Sequence, residues 1–499
     1  MTAPAEEDPV EQVRALLGEA LEVYADEPAA ASRLSAVRQR MDEPLRIALV
    51  GRVKAGKSTL LDALVGARLA PTDAGECTRV VTVYRYGRIP KVVLHDTAGT
   101  SRVLPARRVG GGLRLDLGGS APEDVAQVVV EWPAPELEAA TLVDSPGLAS
   151  LSTDASDRTT SFLEAGDGVP GVDAVLYLTR HLQPDDVAAL TSFQAAAAAA
   201  GRHTATLTVL SRADEVGGAR LDALQAAAAV ARRMSADPAI AAVTSAVVPV
   251  AGLLALGART LRHGDVVALR ALAAADRTAV AAMLLTTDRF LRAEAPVEVS
   301  PTVRAGLLER LGLFGVRLAV ALVHAGIGDA ATLADELLRR SGLPELQRLL
   351  QVHFTGRGRQ LRVAAALQVV GDLLRTSPRP GTEGLAEAVE RIRLAAVDVD
   401  ELALLARLRA ADDLLPPGLR AEAQRLLGAE GTAAASRLGL SGDGSAEELR
   451  GAAQDAVARW RQVTTDPALD RPATDAADVV LASCEALLTG LGRAPALRT

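Results

Sequence analysis

The sequence predicts a chain of two parts: an α/β domain, a mostly parallel sheet covered by helices, joined to an α-helical bundle or stalk built from both ends of the chain. Three observations predict it. A buried strand, a glycine-containing octet and a helix follow one another at residues 45–65. Strands and helices then alternate to about residue 267, the pattern of a sheet covered on both faces. Beyond that the strand signal fades, and from Gly356 only helical patterns remain.

Leu45 to Val50 is an apolar run that reads as a buried strand, and Ser58 to Val65 reads as a helix. Between them Gly51-Arg52-Val53-Lys54-Ala55-Gly56-Lys57-Ser58 fits G-x-x-x-x-G-K-S, the phosphate-binding loop. A strand, a tight turn and a helix N-terminus aim backbone N–H groups at a polyanion. Gly51, Val53, Lys54, Ala55, Gly56 and Thr59 would surround the phosphates, Lys57 would reach the β- and γ-phosphates, and Ser58 would ligate Mg²⁺.

The first segment, Pro9 to Met41, has helical spacing of Val10, Val13, Leu16, Leu17 and Leu21, with a break expected at Pro28. After the phosphate loop, Ala70 to Arg79 is a polar loop and Arg107 to Ser120 a glycine-rich, flexible excursion. Strands are expected at Val80 to Tyr86, Lys91 to His95, Ala126 to Glu131, Ala140 to Val143, Asp173 to Thr179 and Thr204 to Leu210, with helices at Pro184 to Ala200 and Ala219 to Met234. Pro238 to Ala258 is uncharged and as long as a membrane span, but its prolines and glycines suit a last core strand at Ala246 to Val250 and a short helix better. Helices follow at Arg304 to Ala325, Ala331 to Arg340 and from Ser341-Gly-Leu-Pro344 to Phe354, then Gln360 to Arg375, Gly384 to Arg409, Pro417 to Leu427, Ala446 to Val463 and Ala473 to Leu491. The expected division is 1–43, helices that fold back on the bundle; 44–355, the nucleotide domain; and 356–499, the helical bundle.

Phosphate chemistry needs a metal holder, a water and a choice of base. In Ala140-Thr-Leu-Val-Asp144-Ser-Pro-Gly147, Asp144 can hold a Mg²⁺-bound water and the N–H of Gly147 can sense the γ-phosphate. Thr78, in Glu76-Cys-Thr-Arg79, is the candidate to close on Mg²⁺ and place the attacking water, with Thr72 and Thr82 as competitors. In Ser211-Arg212-Ala213-Asp214, the aspartate can accept both N1–H and N2–H₂ of guanine, which adenine cannot offer. Ser211 and Arg212 replace the Asn/Thr and Lys of the usual [N/T]-K-x-D, and Arg212 keeps a flat stem over the base. Ala251 and Gly252 are candidates for a backbone contact to guanine O6. Together these motifs imply a P-loop GTPase domain that uses GTP/GDP and Mg²⁺. No glutamine follows Gly147, so Lys54 is the candidate cation for charge on the bridging oxygen, with a plain exposed loop lysine as the alternative.

Apolar residues make up 49% of the 499-residue chain and aromatics only 2%, so Ala, Leu and Val must build the cores. A net charge of −8 argues against binding nucleic acid through a broad basic surface. Cys77 and Cys484 offer neither a disulfide framework nor metal spacing, and the acidic N-terminus has no signal-peptide core; a reducing cytoplasm suits both. No basic cluster or aromatic amphipathic tip points to lipid. The breaks at Asp413 to Leu419 and Arg437 to Leu440 read as turns, with loop tips bearing exposed leucines as the alternative.

The phosphate loop through Thr59, the segment Ala70 to Thr82, Asp144 to Gly147 and Ser211 to Asp214 resemble bacterial dynamin-like GTPases, most of all the actinobacterial isoniazid-inducible type in its shorter form. The likeness continues through Leu308 to Gly315 and Ser341 to Leu346. It implies that Thr78 and Arg79 are the switch threonine and its nucleotide-binding neighbour. It also implies low-affinity GTP binding, hydrolysis stimulated by self-association of the GTPase domains, and a stalk that carries motion to a membrane. The expected place is the cytoplasm, peripherally on the inner face of the plasma membrane, beside a sister dynamin-like protein. The alternative is a slow-turnover GTP-binding regulator of a longer sister.

Overall fold

The computed structural model describes residues 9–493 apart from 53, 71–79, 110–111, 115–116, 118, 145–171, 182, 184–185, 189, 192–204, 242, 293, 355–357, 396–400, 402–403, 406–407, 409–413, 430, 441 and 443. Two helices open the chain, Pro9–Val23 and Pro28–Arg40, with Pro28 in the first turn of the second, where its missing N–H costs nothing.

The strands are β1 (Leu45–Gly51), β2 (Thr82–Tyr86), β3 (Lys91–Asp96), β4 (Ser101–Leu104), β5 (Arg107–Val109), β6 (Gly112–Arg114), β7 (Val125–Trp132), β8 (Ala140–Asp144), β9 (Ala174–Thr179), β10 (Ala205–Ser211) and β11 (Val247–Val250). Among the described residues β5 and β6 form a hairpin, and the other strands form one sheet of nine in the order β11-β10-β9-β1-β8-β2-β7-β3-β4. The expected parallel sheet holds from β11 to β8 and again for β2 with β7. The minority of antiparallel pairings falls where β8 meets β2, β7 meets β3 and β3 meets β4. Short connections near β3 and β4 return the chain beside itself, which a parallel crossover cannot do.

Successive β1 residues feed opposite layers. Ile47 and Leu49 pack with Leu60 and Leu64 of the helix Lys57–Val65, while Ala48 and Val50 pack with Val175 and Leu190. The described residues of the excursion at Arg107 to Ser120 include the β5–β6 hairpin and bury Leu113 and Leu117 in the sheet core. Its glycines concealed two apolar anchors.

Past β11 comes a helical layer, of which the first and last helices were expected and the three between them were not: Gly252–Arg259, His263–Ala274, Arg277–Met283, Thr287–Leu291 and Pro301–His324 share one apolar core. Arg304 is buried there and is satisfied by the carbonyls of Phe290, Arg292 and Val299. The helix Leu343–His353 returns to the sheet, placing Leu346 and Phe354 in its core. At its start Gly342, at φ 82°, lies where a Cβ would meet Pro249 O at 2.1 Å, so a side chain is excluded.

Among the described residues, the helices before β1 and those after Leu343–His353 build two separate cores. The N-terminal pair packs on Gly358–Thr376 and Glu383–Ala395 through Leu17, Leu34, Leu367 and Val389. Pro417–Leu426, Ala434–Leu438, Ala446–Thr464 and Arg471–Arg493 pack around Trp460 and Val480. Leu415 and Leu438 are both buried, so the two breaks are turns and those leucines serve the core. No described helix is long and apolar enough to cross a membrane.

Candidate functional site

The site lies at the C-terminal ends of the parallel strands, the usual ligand edge of an α/β sheet. β1 ends at Gly51, whose missing side chain lets β9 approach: a Cβ there would meet Leu178 O at 2.3 Å. The turn then passes through positive φ at Lys54 (65°) and Gly56 (92°) before the helix Lys57–Val65 begins. Ala55 N–H closes on Arg52 O at 3.1 Å. Lys57 Nζ donates to Gly51 O at 3.0 Å and Arg52 O at 3.5 Å, which holds the ammonium across the loop.

Asp144, the last residue of β8, lies beside Lys57 and Ser58. Burial pushes its carboxyl up to about 6, opposed by the Lys57 charge and a hydrogen bond from the Ser58 hydroxyl. Burial likewise lowers the Lys57 pKa, with Asp144 opposing. Asp144 Oδ1 is buried without a hydrogen-bond partner. An orphaned carboxylate oxygen next to a hydroxyl offers hard oxygen donors of the kind a divalent cation takes. Ser58 and Asp144 therefore fit Mg²⁺.

A cavity of about 180 Å³ joins the loop to the β10 end, lined by Gly56, Thr59, Ser211, Arg212, Asp214 and Gly252 among others. Arg212 adopts a left-handed φ of 52° and turns the chain so that Asp214 follows in a short 3-10 segment. Burial raises the Asp214 pKa. Arg212 donates to Glu215 at 2.8 Å, which holds its guanidinium at the cavity wall. Ser211 is committed elsewhere, its hydroxyl donating to Thr179 O at 3.1 Å. Ala251 N–H is taken by Ser341 O at 2.8 Å, which leaves Gly252 as the member of that pair lining the cavity.

Residues 51, 52, 54–59, 144, 211–214 and 252 are thus neighbours around one loop and one cavity. Lys54 stands exposed at the loop crest. Val53, Thr72, Thr78, Arg79 and Gly147 lie outside the described residues.

Beside the phosphate loop, sequence analysis missed a buried acid. Asp62, on the phosphate-loop helix, accepts the N–H groups of Leu69 at 2.7 Å and Ala70 at 2.8 Å, and burial pushes its pKa up to about 7. It ties that helix to the residues just before 71–79. Its signal was a lone charge in Leu60-Leu61-Asp62-Ala63-Leu64-Val65.

Comparison with known proteins gives a consistent family. The Dynamin family model matches residues 47–212. The isoniazid-induced protein IniC of Mycobacterium tuberculosis (strain CDC 1551 / Oshkosh) is 41% identical over 484 residues, 96% of this chain and 98% of that one. A bacterial dynamin-like protein of Nostoc punctiforme is 35% identical over 150 residues, 28% of this chain and 21% of that one. The isoniazid-induced protein IniA of M. tuberculosis is 32% identical over 146 residues, 28% and 22% of the two chains.

Proposed function

The chain belongs to the dynamin family, as a bacterial dynamin-like protein of the isoniazid-induced type, and from that premise we propose that it binds guanine nucleotide and hydrolyses GTP to GDP and phosphate. The observation that carries this reading is one cavity shared by the phosphate loop and Asp214. In this reading Asp214 accepts the guanine N1–H and N2–H₂, Arg212 covers the base, and Gly252 borders it. The loop N–H groups and Lys57 take the β- and γ-phosphates. In this reading Lys57 exchanges the Gly51 and Arg52 carbonyls for phosphate oxygens when nucleotide binds.

Ser58 and Asp144 would hold Mg²⁺, which when bound neutralises phosphate charge. Asp144 must be ionised for this role, and nearby Lys57 favours that form. Thr78 is proposed to place the attacking water, with Arg79 beside it, and Gly147 to report the γ-phosphate. Lys54, exposed above the loop, is proposed to reach the bridging oxygen.

Nucleotide-dependent pairing of GTPase domains, motion of the helical part and peripheral membrane contact complete the proposal. The Arg40–Asp173 tie and the packing of Pro9–Val23 on Gly358–Thr376 support mechanical continuity between site and helices. A sister dynamin-like protein is the proposed partner.

The test is GTP hydrolysis against protein concentration, with and without anionic liposomes, and with Lys57→Ala as the blank. Specific activity that rises with concentration or lipid supports an assembly-stimulated dynamin. Flat, negligible turnover despite GTP binding supports the regulatory alternative and overturns autonomous hydrolysis.

A further inference from the structure

The phosphate loop is also tied down from behind, by a buried carboxylate that does not line the base cavity. Asp186 is 2% exposed, and both its oxygens are engaged. Oδ1 accepts Arg52 Nε at 2.8 Å and the Tyr177 hydroxyl at 2.7 Å, and Oδ2 accepts Gln183 N–H at 2.9 Å. Tyr177 is buried on β9, where desolvation and then Asp186 raise its pKa, so its hydroxyl remains a donor.

Arg52 is where this network meets the loop. Its side chain runs back to Asp186, while its carbonyl accepts Ala55 N–H at 3.1 Å and Lys57 Nζ at 3.5 Å. An arginine in such a turn would otherwise sample many rotamers. A charge-assisted bond to a desolvated carboxylate removes that freedom. Burying a carboxylate is costly unless its partners are in place, so the arrangement also resists small displacements of Arg52.

We infer that Asp186 is a positioning residue for the phosphate loop, acting through Arg52 to fix the backbone of the loop's first turn, where Arg52 O accepts Ala55 N–H. This rests on the guanine-nucleotide reading above. Release of Arg52 loosens the part of the loop that meets the β- and γ-phosphates and leaves base recognition at Asp214 untouched.

The experiment measures GTP, GDP and GMP binding to the full chain as wild type, Asp186→Asn, Arg52→Ala and the double variant. The double variant, which removes both charges, provides a further probe should a single variant not fold. Each single variant should weaken GTP and GDP binding about tenfold, the worth of one hydrogen bond to a charged group. GMP, which lacks the outer phosphates, should stay within about twofold, and the double variant should be no weaker than Arg52→Ala. Unchanged GTP and GDP binding in both single variants overturns the inference. So does an equal loss for all three nucleotides, the mark of a merely structural role, or additive losses in the double variant. A wild-type chain that binds no guanine nucleotide overturns the inference and the functional reading together.

Discussion

Arg40 and Asp173 form a largely buried ion pair that fastens the N-terminal helices to the roots of two strands. Arg40 Nη2 lies 2.8 and 2.7 Å from the two carboxylate oxygens, and the side chains are only 11% and 10% exposed. Asp173 also accepts Arg46 N–H at 2.7 Å, and its own N–H donates to Arg46 O at 2.8 Å. Arg46 lies in β1, which ends in the phosphate loop, and Asp173 immediately precedes β9, whose Leu178 borders the cavity.

Arg40→Ala leaves a buried carboxylate short of its cation, which costs about 3 kcal/mol or more. The urea midpoint should fall accordingly. Arg40→Met with Asp173→Asn, which removes both charges and keeps an acceptor for Arg46 N–H, should recover most of the loss. A double variant as unstable as Arg40→Ala would show that charge pairing is not what matters there.

Asp62 gives a stability difference with a defined pH sign. Its folded pKa of about 7 lies above the usual carboxylate range because of burial. Its protonated form therefore contributes stability that is complete below about pH 4 and lost as pH rises through about 7. Asp62→Asn keeps an acceptor for Leu69 and Ala70 but cannot ionise. In nucleotide-free protein its advantage over wild type should grow by about 2 kcal/mol between about pH 5 and pH 8. Denaturation curves at the two pH values measure this; a pH-independent difference contradicts it.

The same sign holds for Asp144, raised to about 6 by burial. Without ligand, its ionisation costs stability as pH rises through that value. Mg²⁺ requires the ionised form, so the rise in thermal midpoint on adding Mg²⁺ and GDP should be larger at about pH 7.5 than at about pH 5.5. Asp144→Asn should remove most of that pH dependence.

Asp214→Asn exchanges an acceptor pair for one acceptor and one donor. GTP affinity should fall about a hundredfold, while xanthosine triphosphate, which offers an oxygen in place of the guanine amino group, should lose far less or gain. Competition binding of the two nucleotides decides it. Equal losses would place the base elsewhere.

Lys54→Ala should lower GTP turnover by about a hundredfold or more if Lys54 is the cation at the bridging oxygen, with GDP affinity nearly unchanged. An unchanged rate leaves Lys54 as an exposed loop residue.

What could be read from the sequence was local. Gly51 to Ser58, the break at Pro28 and the restart at Gly342 and Leu343 depend on backbone preferences of neighbouring residues, so their geometry is written in a few consecutive positions. Strand alternation announced the α/β domain for the same reason. The antiparallel edge at β3 and β4 was not legible, because periodicity reports which faces are buried and not the direction of the neighbouring strand. The helices between His263 and Leu291 were equally hidden, short segments that hold together through Phe290 and Phe314 rather than by their own propensity.

The sequence by itself determined the phosphate-loop motif, the candidate aspartates for metal and base, and the family they point to, since each is a chemical type at a short spacing. Only the tertiary structure decided that Asp144 has an orphaned oxygen beside Ser58, that Asp214 faces the phosphate-loop cavity, and that Asp62, Asp173 and Asp186 are buried partners rather than surface acids. Those facts are set by desolvation and by which elements the fold brings together, as Arg52 and Asp186 are brought from 134 residues apart.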